Sequence, residues 1–206
     1  MIPVFLADDE TLIRVALATM LGLEADIEVA DHVGSGEELV AAWRRRGDAG
    51  DPAAVAVIDL QLPGIDGIET SAQLQRLTPG AGTLIVTSHG RPGYLKRALA
   101  AGVRGFLPKT TSAATLAEVI RTVHRGGRYV DPELAAEAIS AGDTVLTARE
   151  ADVLEFAADG SSVEDIARRA HLTQGTTRNY LSSAMAKLGV SNRYEAALKA
   201  REKGWI

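Results

Sequence analysis

Three aspartates, a threonine and a lysine stand out before any element is assigned, because each follows directly on an apolar run. Asp8 and Asp9 close PVFLADD, Asp59 closes VAVID, Thr87 and Ser88 close GTLIVTS, and Lys109 follows Pro108 at the end of GFLPK. Carboxylates gathered at one place repel one another and call for a cation. Hard oxygen donors of this kind suit Mg²⁺, which keeps several waters and favours one or two carboxylates together with a phosphate. A carboxylate can serve as a nucleophile toward phosphorus, giving an aspartyl phosphate. The ion and an ammonium group would neutralise charge on the transferring phosphoryl group, and a threonine hydroxyl could hydrogen-bond its oxygen. Taken singly, each residue has a plainer reading as the polar end of a buried strand, and Asp8 or Asp9 as the cap of a following helix. Convergence of the whole set is what separates the two readings.

Convergence depends on the elements that carry these residues. Short apolar runs at 3–7, 27–33, 53–58, 82–87 and 104–107 read as strands, and amphipathic patterns near 10–22, 36–46, 67–77, 92–101 and 112–125 read as helices. Five alternating β–α pairs with near-continuous apolar strands predict an α/β fold, a doubly wound five-stranded parallel sheet buried on both faces. Ligands of such sheets gather at the carboxyl ends of the strands, where all five residues fall. Gly34-Ser-Gly36 opens like a dinucleotide loop, but Leu39 stands at the third glycine position, so a tight turn into a helix is the better reading.

The texture changes after Arg125. Residues 126–145 carry glycines, a proline and a short helical pattern, and read as a linker; from 146 onward no strand signal remains. Thr147 with Glu150, and Ser161 with Glu164, fit the capping-box spacing. Thr173 can cap a third helix ending at Gly189, and Ser191 a fourth ending at Gly204. The third, from about Gln174 to Leu188, turns Leu181, Met185 and Leu188 inward and Arg178, Asn179 and Ser182 outward. That outer face suits a major groove, or is simply the wet side of a small bundle. Ala196, Ala197 and Ala200 would allow close approach of a second copy or close packing within the domain.

Composition bounds the rest. The 206 residues are 46% apolar and 24% charged, as in ordinary globular proteins. The absence of cysteine excludes disulfide scaffolds, thiolate metal sites and cysteine nucleophiles, and agrees with a reducing cytoplasmic location. The first residues run into acids without a signal peptide, and no membrane-spanning segment is expected. Net charge is −5, with a balance of −6 over residues 1–144 and +1 over 145–206, so charge alone does not mark a nucleic-acid binder.

Together, Asp8-Asp9, Asp59-Leu-Gln-Leu-Pro63-Gly-Ile-Asp-Gly67, Thr87 and Phe106-Leu-Pro108-Lys109 resemble the receiver domain of bacterial two-component response regulators over residues 1–125. The resemblance implies that Asp59 is a phosphoacceptor, that Asp8, Asp9, Asp59 and the Gln61 backbone carbonyl hold Mg²⁺, and that Thr87 and Lys109 contact the phosphoryl group. Phe106 occupies the aromatic switch position, with core packing as the alternative role. LTARE, VLEFAADG and GTTRNYLSSAMAKLGVSNRYEAALK closely resemble the LuxR-type helix-turn-helix domain over 146–206. By that resemblance Arg178, Asn179 and Ser182 are candidate base readers, and Thr173, Gln174, Thr177, Tyr180 and Lys187 candidate phosphate or sugar contacts. Thr177 stands where valine is usual, Tyr180 where histidine is frequent, and Ser182 is uncharged. The combination resembles the NarL/FixJ class, and RNYLSSAMAKLG a branch that includes regulators of desaturase genes and membrane fluidity. A non-enzymatic transcriptional role follows, with a sensor histidine kinase, double-stranded operator DNA and a second copy of the chain as partners. The alternatives are an orphan regulator controlled by a ligand or protein, and an aspartate-based phosphatase. The phosphatase would need an acid where Gln61 stands.

Overall fold

A computed structural model of the chain describes residues 1–48, 54–88, 92–140 and 144–206. Two compact units emerge, one of Met1–Gly90 with Arg97–Pro132 and one of Arg91–Lys96 with Glu133–Ile206. The first alternates β1 (Ile2–Ala7), α1 (Thr11–Leu21), β2 (Ile27–Val33), α2 (Gly36–Asp48), β3 (Val55–Asp59), α3 (Gly67–Leu77), β4 (Gly82–Thr87), the end of α4 (Pro92–Ala100, whose residues up to Lys96 fall in the second unit), β5 (Gly105–Pro108), α5 (Ala113–His124) and β6 (Tyr129–Val130). The strands form one sheet in the order β2-β1-β3-β4-β5-β6, and every neighbouring pair is parallel.

Every residue of β3 and β4 is buried, as their unbroken apolar runs require of strands covered on both faces. On one face Val4, Leu6, Val57, Leu84, Val86 and Leu107 pack under Leu116, Val119, Ile120 and Val123 of α5. Each such side chain contributes about 1.5–3 kcal/mol by leaving water. Elsewhere in the unit the Trp43 ring of α2 lies tilted on Phe5 at 5.4 Å, and its indole N–H donates to Thr78 Oγ1 at 3.1 Å.

The sheet has six strands rather than the five expected. Tyr129 N–H donates to the Arg104 carbonyl and Asp131 N–H to that of Phe106, so the first residues assigned to the linker pair with the free edge of β5. A two-residue strand is too short to show any alternation. β3 ends on Asp59 itself; the expected start of this strand at residue 53 lies outside the described residues, as do linker residues 141–143.

Strand order reverses between β1 and β3, which opens a crevice at their carboxyl ends. The loop after β3 closes that crevice tightly. Gly67 N–H returns to the Leu60 carbonyl at 3.0 Å, and a Cβ on Gly67 would sit 2.2 Å from the Asp59 carbonyl oxygen. Glycine is therefore required at 67 by close backbone approach.

The second unit contains α6 (Pro132–Ser140), α7 (Ala148–Ala158), α8 (Val163–Arg169), α9 (Gln174–Leu188) and α10 (Arg193–Glu202). Thr147 and Glu150 form the expected capping box. The cap of α8 is Ser162, whose hydroxyl accepts from Asp165 N–H, one residue later than Ser161; that of α10 is Asn192 rather than Ser191. Both corrections have one cause: the neighbouring residue offers an equally good acceptor at the same three-residue spacing. Gly189 ends α9 in the left-handed region at φ 66°. Ala196, Ala197 and Ala200 are buried with Leu154, Leu181 and Leu188, so the small residues of α10 serve packing within the unit. No described helix is long and apolar enough to cross a membrane.

Gly67→Ala should lower the stability of the first unit by about 1–3 kcal/mol, because the added methyl meets backbone that cannot swing aside. Urea unfolding of the variant beside wild type measures it; an unchanged midpoint would show that the loop relaxes freely.

Candidate functional site

The carboxyl ends of β1, β3 and β5 bring Asp8, Asp59 and Lys109 together. Lys109 Nζ lies 2.8 Å from Asp59 Oδ2, 2.8 Å from Asp8 Oδ2 and 3.1 Å from Glu10 Oε1. Backbone bonds fix the frame: Lys109 N–H donates to the Thr87 carbonyl at 2.8 Å and Leu60 N–H to the Val86 carbonyl at 3.0 Å. Asp8 Oδ1 accepts from Glu10 N–H at 2.9 Å, and Asp59 Oδ1 from Gln61 N–H at 3.3 Å. Thr87 is buried at the end of β4, beside Pro108 in the register of β5. Phe106 is fully buried within β5.

Burial dominates the electrostatics. It pushes the Asp59 carboxyl up to about 6 against the pull of Lys109, and the Asp8 charge adds to the rise. Burial also raises Asp8. Desolvation works against the Lys109 ammonium, but Asp59 and Asp8 outweigh it and hold the group charged above its ordinary range.

Oxygens of Asp8, Glu10 and Asp59 lie within 4.8 Å of one another, a set able to hold a cation. Asp8 Oδ2 is buried and lacks an aligned hydrogen bond, although the ammonium stands close by. Three carboxylates beside a single ammonium fit a hard divalent ion. Glu10, absent from the sequence-based candidates, belongs to this trio, whereas Asp9 is not among the three. The only signal for Glu10 is a third acid directly after the aspartate pair.

In the second unit, Thr173 caps α9 through Thr176 N–H at 3.2 Å. Gln174, Arg178, Asn179 and Ser182 are exposed, and Arg178 donates to Gln174 Oε1 at 3.2 Å, a turn away. These candidates share an accessible face. Three others are placed differently. Thr177 is fully buried with its hydroxyl donating to the Thr173 carbonyl, so it cannot meet DNA as the helix stands. Tyr180 is half-buried against the core. Lys187 reaches Glu150 Oε2 at 2.7 Å.

Glu150 does more than its capping spacing implies. Its buried carboxylate takes Ser183 Oγ at 2.6 Å, Lys187 Nζ at 2.7 Å and Thr147 N–H at 2.6 Å. Burial works to raise this carboxyl, but Lys187, Ser183 and Thr147 overcome it and hold it at about 2. The start of α7 is thereby fastened to the middle of α9. The turn before α9 places His171 in the left-handed region at φ 54°, an uncommon conformation for a residue with a side chain.

The chain matches the response regulator receiver domain over residues 4–121 and the bacterial regulatory proteins of the luxR family over residues 144–200. It is 38% identical over 206 residues to the transcriptional regulatory protein DesR of Bacillus subtilis, covering all of both chains. It is 37% identical over 205 residues to the transcriptional regulatory protein UhpA of Escherichia coli, again over the full length of both. Among solved structures, the response regulator ChrA of a heme-sensing two-component system aligns over all of this chain and 98% of its own, with a TM-score of 0.55 and 28% identity.

Two stability measurements follow from the acids. Asp59 holds its proton more tightly folded than unfolded, so its contribution to stability falls as pH rises from about 4 to about 6 and stays unfavourable above. Without metal at pH 8, Asp59→Asn should stabilise the chain by on the order of 1–3 kcal/mol and flatten that part of the profile. Glu150 has the opposite sign: its stabilisation is present above about pH 4.5 and lost as pH falls toward about 2. Glu150→Gln should cost roughly 3 kcal/mol, read from urea unfolding of the helical unit at pH 7.

Proposed function

The chain belongs to the two-component response regulators, in the NarL/FixJ class that joins a receiver to a LuxR-type DNA-binding domain, and on that premise we propose how its two parts work. Asp59 accepts a phosphoryl group from a partner histidine kinase, and the modified protein pairs with a second copy on operator DNA. The observation that carries this reading is the Lys109 ammonium placed 2.8 Å from both Asp59 and Asp8 at the strand ends.

In the transfer, an Asp59 carboxylate oxygen attacks phosphorus. The phosphorus–nitrogen bond of the kinase phosphohistidine breaks, and the imidazole nitrogen leaves with the electron pair. Asp8, Asp9, Asp59 and the Gln61 carbonyl would hold Mg²⁺, which supplies charge neutralisation at the phosphoryl oxygens. Lys109 exchanges one Asp59 oxygen for a phosphoryl oxygen, and Thr87 turns its hydroxyl to another. Phe106 and the face of β4 and β5 then adopt the active arrangement. A shift of a few kcal/mol between two states is enough, provided the phosphoryl group makes unequal contacts in them.

On DNA, Arg178, Asn179 and Ser182 read bases from the exposed face of α9, while Thr173, Gln174 and Tyr180 position the backbone. Lys187, held by Glu150, adds positive charge beside that face. Two such helices in a homodimer meet half-sites about one DNA turn apart. The protein acts in the cytoplasm without catalytic turnover of its own. The narrower placement among regulators of desaturase genes rests on the RNYLSSAMAKLG segment. Control without phosphorylation is the competing reading.

Intact-mass analysis after acetyl phosphate and Mg²⁺ tests the first step: one phosphate adduct is expected on wild type and none on Asp59→Asn. No adduct on wild type would favour control by a ligand or protein instead. For the second step, Arg178→Ala should weaken binding to genomic fragments selected by the phosphorylated protein by about 1–3 kcal/mol. Equal retention in a mobility-shift assay would remove Arg178 from the base readers.

A further inference from the structure

Glu10 stands at the start of α1, yet its side chain does not cap that helix. It turns instead to Lys109, whose ammonium it meets at 3.1 Å, while its own N–H is fixed on Asp8 Oδ1 at 2.9 Å. The Lys109 and Asp59 side chains are 10% and 6% exposed, whereas that of Glu10 is 56% exposed. The phosphoacceptor and its lysine therefore lie inside, and Glu10 lies at the mouth. Three carboxylates share one ammonium, and an anionic donor approaching Asp59 must enter this excess of negative charge.

We propose that Glu10 is an electrostatic brake on the phosphorylation of Asp59, acting by drawing on the Lys109 ammonium and by repelling the incoming phosphoryl donor. The inference rests on the phosphoacceptor role of Asp59. With acetyl phosphate the step balances simply: an Asp59 oxygen bonds to phosphorus, the bond from phosphorus to the acetyl oxygen breaks, and acetate leaves with the electron pair. No proton is required. Glu10 touches neither of these bonds; it sets the charge that the lysine has left to offer and the charge that the donor meets. The plain alternative is a solvated acid favoured by the helix dipole. An acid of that kind would leave the kinetics untouched when replaced by its neutral amide.

Glu10→Gln preserves shape and removes the charge, and since no cap is lost the fold should persist, as circular dichroism would show. The test is the rate of adduct formation by intact mass on the full chain at saturating Mg²⁺. Two donors are used, dianionic acetyl phosphate and the less highly charged phosphoramidate, each at low and high salt. A brake predicts that Glu10→Gln reacts roughly three- to tenfold faster with acetyl phosphate at low salt, because like charges this close interact strongly and are screened by salt. The gain should be smaller with phosphoramidate and shrink at high salt, and Glu10→Lys should exceed Glu10→Gln. Equal rates, or a gain indifferent to donor charge and to salt, would overturn the brake. A wild type that takes no phosphoryl group overturns the Asp59 reading and the brake with it. A labelled wild type matched by Glu10→Gln overturns the brake alone.

Discussion

One ammonium group holds together a cluster of charges that would otherwise disperse. Lys109 Nζ is in reach of Asp8, Asp59 and Glu10, and the parallel order of the sheet makes this possible. β1 and β3 are neighbours, so their terminal acids are neighbours too. β5 lies one strand beyond β4, and the long lysine stem spans that gap. Reversing any one strand would send its charged end to the opposite edge, leaving a buried carboxylate without a counter-ion. The fold and the charge cluster therefore depend on each other.

The two units use a buried acid beside a lysine for opposite ends. Asp59 sits where burial outweighs its partners, and its carboxyl is driven up to about 6. Glu150 has a lysine, a hydroxyl and a backbone N–H, and these drive its carboxyl down to about 2. The ionised form of the first is costly, which suits the reactive role proposed for it. The ionised form of the second is fully partnered, which suits a fastening. Desolvation and the neighbouring Asp8 charge set the sign at Asp59, and the combined donors Lys187, Ser183 and Thr147 set it at Glu150.

Much of this is legible in the residues. β2, β4, α3 and the span Gln174–Leu188 of α9 match the expected ranges residue for residue, because apolar runs with clear caps and glycines bound them. The convergence of Asp8, Asp59 and Lys109 is legible too, since a parallel sheet fixes which ends meet. What escapes has a common character. β6 depends on an open edge of β5, Glu10 on a lysine 99 residues away, and the reach of Glu150 on α9 more than 30 residues downstream. None leaves a periodic trace. Thr177 misleads for a related reason: its hydroxyl suggests an outward role, but the carbonyl of Thr173 satisfies it internally.

The grip of Glu150 on Ser183 and Lys187 also divides α9 into positions free to drift and positions that are not. Exchanges at Gln174, Arg178, Asn179 and Ser182 alter only what the helix presents outward. Exchanges at Ser183 or Lys187 strip partners from a buried anion and put the fold of the domain at risk. A duplicated copy of this gene could thus vary the first four freely, with the fastening inherited unchanged. Variation of the outer surface and retention of the scaffold are assigned to different faces of one helix.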